Sequence, residues 1–375
     1  MRLAIAAAML LTASTPALAQ GVEPLRDALA TMPEMILGNP APVQFNFVDV
    51  SALRTLGESD GSDVGTPALK RAAVGGMLPL YNALQAGGPA AWNEKSFVDL
   101  GEVRYMAGFG EAPLTVSILG LAGEDVAANL IAALDAAGFD AAGPDGIVGN
   151  GEPMAMDLSK ADPADPWRGT AGAPTFAASK GDAIIQSSMP QPLPVMLAEG
   201  PDAAANPAIR AALGGLEAAL GEDLLVQAML VSPAFGIANI DPAALLAPGA
   251  DFDALRQKLE AEVGAGTSGI PPYFGGFVAD VQGDRPAVLI SLAYGDCATA
   301  DAAGGLMEQR WRDAMPASVQ GEAETGSIEG SDGLCAATLK VSGEAGDGLS
   351  NPVFQALFDG YVRREFTVLQ IGNAT

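Results

Sequence analysis

The densest run of hard oxygen donors lies between residues 140 and 165, where Asp140, Asp145, Asn150, Glu152, Asp157, Asp162 and Asp165 recur. Calcium takes six to eight such ligands, which makes Asp140, Asp145, Asn150, Glu152 and Asp157 the calcium candidates of this chain. The EF-hand pattern is absent: with Gly146 at the obligatory glycine, Ala141 and Gly143 fall where the first two ligands belong. Turn chemistry explains the same residues. Asp145-Gly146 and Asn150-Gly151 suit hairpins, while Asp162-Pro163 and Asp165-Pro166 suit an extended loop. The stretch reads as turn formers, and no metal or cofactor is assigned.

Two carboxylate pairs, Glu102 with Glu111 and Glu322 with Glu324, have the residue types for general acid and base work. That chemistry needs the two acids roughly 5 to 10 Å apart across a cleft, which spacing alone does not supply. Lys180 with Ser187-Ser188 has the types of a Ser-Lys nucleophile but no S-x-x-K pattern. Gly75-Gly76, Gly275-Gly276 and Gly304-Gly305 lack the nucleotide-loop patterns and read as packing or bend glycines. No catalytic or cofactor-binding residue is therefore named. Trp311, between Arg310 and Arg312, reads as a core ring flanked by solvated charges. Trp92 and Trp167 follow Gly- or Pro-rich segments, and Trp167 is the candidate ligand contact, since apolar clefts are commonly lined by such rings.

What is missing excludes more than what is present. The chain has no histidine, which removes hydrolytic triads, most catalytic zinc sites, haem ligation and His-based phosphoryl transfer. Acidic residues outnumber basic ones 45 to 19, giving a formal charge of −26 that repels nucleic acid and anionic lipid but leaves cationic partners open. Met1 to Ala19 reads as an export leader: Arg2, then the apolar run Leu3 to Leu11, then Ala17-Leu18-Ala19 before Gln20. A periplasmic or secreted protein without stable membrane insertion follows. In that compartment Cys297 and Cys335 are expected to form a disulfide, whose closed loop is worth about 4 kcal/mol on the chain-entropy model.

The elements that must position these residues follow from periodicity and punctuation. Helix is predicted over Pro24 to Leu37, strand over Pro42 to Val50, and a short turn from Ser51 to Leu56. Thr66-Pro67 opens a helix to about Ala86; Leu114 to Leu119 is strand and Glu124 to Ala137 helix, stopped by Gly138. Two β pieces flank Lys180-Gly181-Asp182, and Pro190, Pro192 and Pro194 then end the first sheet. Helices over Asn206 to Leu220 and Asp251 to Val263 form a helical middle. A hairpin over Tyr273 to Val281 and Ala287 to Tyr294, helix from Thr299 to Met315, strand from Leu334 to Val341, helix from Pro352 to Tyr361 and a last apolar run, Phe366 to Ile371, complete the chain.

The order at Pro113 to Leu119 and the helix after it parallels Pro286 to Leu292 and the helix after it, which predicts duplication. The expected fold is α+β: two sheet-and-helix halves, as duplicated ferredoxin-like units with a sheet each, joined by a helical middle segment. The expected division is 1–19 leader, 20–200 N-terminal half, and 201–375 helical connector with C-terminal half. The expected role is non-enzymatic binding of a protein partner or small ligand between the halves in the cell envelope. The alternatives are a carboxylate-based hydrolase acting on an envelope polymer and a calcium-stabilised structural module.

Overall fold

The computed structural model describes residues 21–38, 44–59, 66–110, 114–233, 257, 269–363, 365 and 368–372. The leader segment, Glu111 and, residue 257 apart, the expected helix over Asp251 to Val263 lie outside the described residues, as do two positions of the run from Phe366 to Ile371.

Helix α1 (Glu23–Thr31) is shorter than its apolar spacing suggests, because Pro33 cannot continue it and a 3-10 turn, Glu34–Gly38, takes over. Strand β1 (Asn46–Asp49) runs directly into α2 (Val50–Ser59), a full helix where only a short turn is expected from Ser51. Its first-turn amide Ala52 donates to the Asp49 carboxylate at 2.8 Å, so Asp49 caps the helix. The long helix expected from Thr66 is divided. Helix α3 (Thr66–Arg71) and α4 (Pro79–Lys95) are separated by a 3-10 turn through Gly75-Gly76, and α4 bends where Gly88 takes φ +69° before Pro89. A Cβ on Gly75 would lie 2.3 Å from the Tyr81 ring, so a glycine is needed there for the turn to close onto the helix.

Strands β2 (Val103–Phe109) and β3 (Val116–Leu121) lead to α5 (Glu124–Ala136), a two-residue pair of strands β4 (Asp140–Ala141) and β5 (Val148–Gly149), and the hairpin β6 (Phe176–Lys180) and β7 (Ala183–Ser187). Helix α6 (Pro192–Leu197) uses the proline run at its start, and α7 (Pro207–Leu220) is capped by the Asn206 side chain. The second half contains β8 (Leu224–Val231), β9 (Gly276–Gln282), β10 (Pro286–Tyr294), α8 (Cys297–Ala314), β11 (Glu322–Glu329), β12 (Cys335–Ser342) and α9 (Pro352–Arg363).

These strands do not make two sheets. They form one antiparallel sheet of 12 strands, ordered β11-β12-β10-β9-β8-β1-β2-β3-β7-β6-β5-β4. The halves meet in this sheet by direct pairing of β1 with β8, Phe47 opposite Ala228. Helix α7, at the centre of the expected middle segment, lies on the sheet with its Leu213 and Leu216 in the core. Both halves share a strand order: β1-β2-β3-β7-β6 in the first matches β8-β9-β10-β12-β11 in the second. Each contains a helix crossover with one strand inserted between its ends, β3-α5-β6 around β7 and β10-α8-β11 around β12. The fold is thus mixed α+β on one large sheet.

Helices cover both faces. One face carries Phe47, Tyr105, Ile118, Leu230 and Leu289 beneath α1, α6 and α7. The other carries Val48, Met106 and Leu119 beneath α2, α4 and α5 in the first half, and Val278, Ile290 and Leu339 beneath α8 and α9 in the second. This double cover explains why β10 is buried at every position and why its sequence is apolar but for Ser291, whose hydroxyl donates to the Ala212 carbonyl. The long edge strand β11 is studded with exposed Glu322, Glu324 and Glu329, which discourages another strand from adding to it. Cys297, at the start of α8, and Cys335, at the start of β12, form the expected disulfide. No helix among the described residues is long and apolar enough to cross a membrane.

Candidate functional site

One cleft lies where the halves meet. Thr55, Leu56 and Arg71 on one side and Glu222, Asp223, Gln282, Asp284 and Leu349 on the other enclose about 590 Å³. Arg71 closes its floor from the last turn of α3. Its Nε and Nη2 donate to Asp280 at 3.1 and 2.7 Å, Nη2 also to the Val281 carbonyl, and Nη1 to the Gln282 side chain and the Leu349 carbonyl. Those bonds use all five guanidinium donors. The Asp280 carboxylate also accepts from Gln227 Nε2 at 2.9 Å and Asn351 Nδ2 at 2.6 Å, while Gln227 Oε1 accepts the Val74 amide. The cluster is saturated, so it has a structural role. The rim is different: Glu222, Asp223 and Asp284 bring acid to the opening, with Lys340 Nζ holding Asp223 at 2.7 Å.

The loop from Ala161 to Thr175 carries Trp167. Asp162 accepts the Ala164 amide and Asp165 the Trp167 amide, so each Asp-Pro pair makes a local turn. The Trp167 ring is 2% exposed, meets Phe139 edge-on with centroids 6.0 Å apart, and donates from Nε1 to the Ser96 carbonyl. One cleft of about 320 Å³ lies on its side of the loop, lined by Glu94, Lys95, Phe97, Phe139, Asp165, Trp167 and Arg168. A second, of about 380 Å³, includes Ser117, Thr175 and Gln186 and shares Asp165 and Arg168 with the first. Burial raises the Asp165 carboxyl above its ordinary value, against the Trp167 amide bond that lowers it.

The calcium candidates are occupied by local bonds or stand apart. Asp145 and Gly146 both take positive φ, +60° and +75°, in the turn between β4 and β5, and Asp140 is exposed on β4. Asn150 donates to the Trp167 carbonyl and accepts the Thr175 amide, Glu152 is exposed, and Asp157 caps a 3-10 turn through Ser159. Among the described residues no group of three or more His, Cys, Asp or Glu converges as a metal site would require.

Glu322 and Glu324 lie two apart on the edge strand, with Glu322 paired to Arg285, and Glu102 is exposed in a 3-10 turn. Lys180 pairs with Ala183 at the hairpin turn while Ser187 pairs with Phe176 at its far end, about 13 Å away at strand rise, so no Ser-Lys pair forms. Lys180 Nζ instead donates to the carbonyls of Thr31 and Met196. Trp311 is fully buried, its Nε1 donating to the Gln320 carbonyl.

One carboxyl escaped sequence reasoning. Asp49 is 4% exposed, and burial pushes its pKa up to about 7 despite the amide bonds and the nearby Arg104 and Arg54. Its position at a strand end resembled any other turn acid. No protein-family model matches this chain, and neither does a curated protein or a solved structure, so the geometry of its clefts is the ground on which its function is read.

Proposed function

We propose that this is an exported, non-enzymatic binding protein, and that a small organic cation or a basic side chain of a protein partner enters the cleft between its halves. The observation that carries this reading is the cleft of about 590 Å³ lined from both halves, with Glu222, Asp223 and Asp284 at its opening. Its saturated floor leaves recognition to the rim, where carboxylates attract positive charge, and the volume falls in the range of small-molecule sites. The leader-like pattern of Met1 to Ala19 supports an encounter in the periplasm or outside the cell. The shared strand order supports descent of the halves from one duplicated ferredoxin-like unit, with the cleft at their seam.

The test is native purification followed by mass spectrometry of whatever accompanies the protein, repeated on a Glu222→Gln, Asp284→Asn variant. A cationic molecule or basic partner that is retained by the wild type and lost from the variant supports the reading. Hydrolytic turnover of an envelope polymer, abolished by one carboxylate substitution, replaces it with the hydrolase. A rise in melting temperature with calcium replaces it with the metal-stabilised module.

A further inference from the structure

The cleft beside Trp167 is separate from the junction cleft, and its wall has a different chemistry. Phe97 takes φ +64°, a strained conformation rare for a bulky residue, yet the residue is left 44% exposed. Ser96 pins this turn, its hydroxyl donating to the Val98 carbonyl at 2.7 Å and accepting the Val98 amide at 3.3 Å. An aromatic ring held strained and exposed gains nothing for the core. With the nearly buried Phe139 and Trp167 it lines this cleft.

Two charged groups share that space with capacity to spare. Among the described residues Arg168 donates one hydrogen bond, from Nη2 to the Asn150 carbonyl at 2.7 Å, and is in no ion pair within 4 Å, although its charge is felt by the neighbouring Asp165. Lys95, by contrast, is engaged by Asp162. Asp165 spends Oδ1 on the Trp167 amide and is half withdrawn from water. A guanidinium, a carboxylate and three aromatic rings around about 320 Å³ match, group for group, a carboxylate, an ammonium and a large apolar side chain. We infer that this cleft binds a free α-amino acid with an aromatic or large aliphatic side chain, its carboxylate on Arg168, its ammonium on Asp165, and its side chain against Phe97 and Phe139.

Calorimetric titration of the full chain with L-phenylalanine tests this, with 3-phenylpropionate and phenethylamine as probes that each lack one charge. Binding of L-phenylalanine is expected, with each analogue weaker by about tenfold or more, as loss of a charge-assisted hydrogen bond implies. Arg168→Gln should weaken L-phenylalanine by a similar factor. Phe97→Gly should also weaken it while leaving the melting temperature unchanged or raised, because glycine takes the positive φ without strain. That variant separates a ligand contact from a folding role. No heat with L-phenylalanine up to about 10 mM, equal binding of either analogue, or wild-type affinity in Phe97→Gly would each overturn the assignment.

Discussion

Arg71 and Asp280, 209 residues apart in sequence, meet 2.7 Å apart with side chains 1% and 0% exposed. The pair ties the helical segment after β1 to the centre of the second half, and Gln227 and Asn351 complete the carboxylate's shell. Its contribution is to geometry more than to net stability, since two buried charges offset most of their attraction by lost hydration.

Breaking one side of that pair therefore costs more than removing both. Asp280→Ala leaves the Arg71 charge buried with two of its guanidinium donors, on Nε and Nη2, unpaired, and should destabilise by about 3 to 5 kcal/mol, whereas Arg71→Met with Asp280→Leu should recover much of that loss. Urea unfolding of the three proteins measures it. A double variant as unstable as the single one would show that the charges themselves, and not their matching, hold the halves together.

The two glycines of the turn before α4 make a paired test. Gly75→Ala would press a methyl into the Tyr81 ring and should cost about 1 to 3 kcal/mol, while Gly76, with nothing within 4 Å of an added Cβ, should accept alanine neutrally or with a small gain. Equal effects at both positions in thermal unfolding would show that the ring yields instead of the backbone.

Local punctuation was legible in the sequence, and long-range closure was not. Asn206-Pro207 announced α7 and Lys180-Gly181-Asp182 announced the β6 to β7 turn, because caps and tight turns are set within a few residues. Strands β2 and β8 left no alternation to read, since helices cover both of their faces and Val103–Phe109 and Leu224–Val231 are mostly buried. The pairing of β1 with β8, which merges the two expected sheets, depends on contacts nearly two hundred residues apart. Of the sites, Trp167 was visible as a residue type. Phe97 was not, because a positive φ at a phenylalanine has no sequence signal.

The disulfide between Cys297 and Cys335 joins the start of α8 to the start of β12 across 38 positions. Replacing both cysteines by serine should lower stability by about 2 to 4 kcal/mol, mainly by enlarging the unfolded ensemble. Thiol titration of the native protein should find no free sulfhydryl, and denaturant unfolding with and without reductant gives the energy. A variant as stable as the wild type would mean that α8 and β12 are held by packing alone.

Asp49 sets the pH dependence that is easiest to isolate. Its folded pKa, about 7, lies above the ordinary 3.8, so the folded protein holds an extra proton between those values. Stability from this group is therefore present at about pH 4, falls as pH rises toward 7, and stays level above it. Asp49→Asn keeps an oxygen to accept the Ala52 amide and removes the titration. The variant should gain on the wild type as pH rises from 4 to 8, by up to about 4 kcal/mol. Asp157 and Asp162, whose lowered pKa values give the opposite slope, are common to both proteins and cancel in the difference. Urea unfolding across that range measures the gap, and a gap that stays constant with pH would show that the buried carboxyl is not the group that titrates.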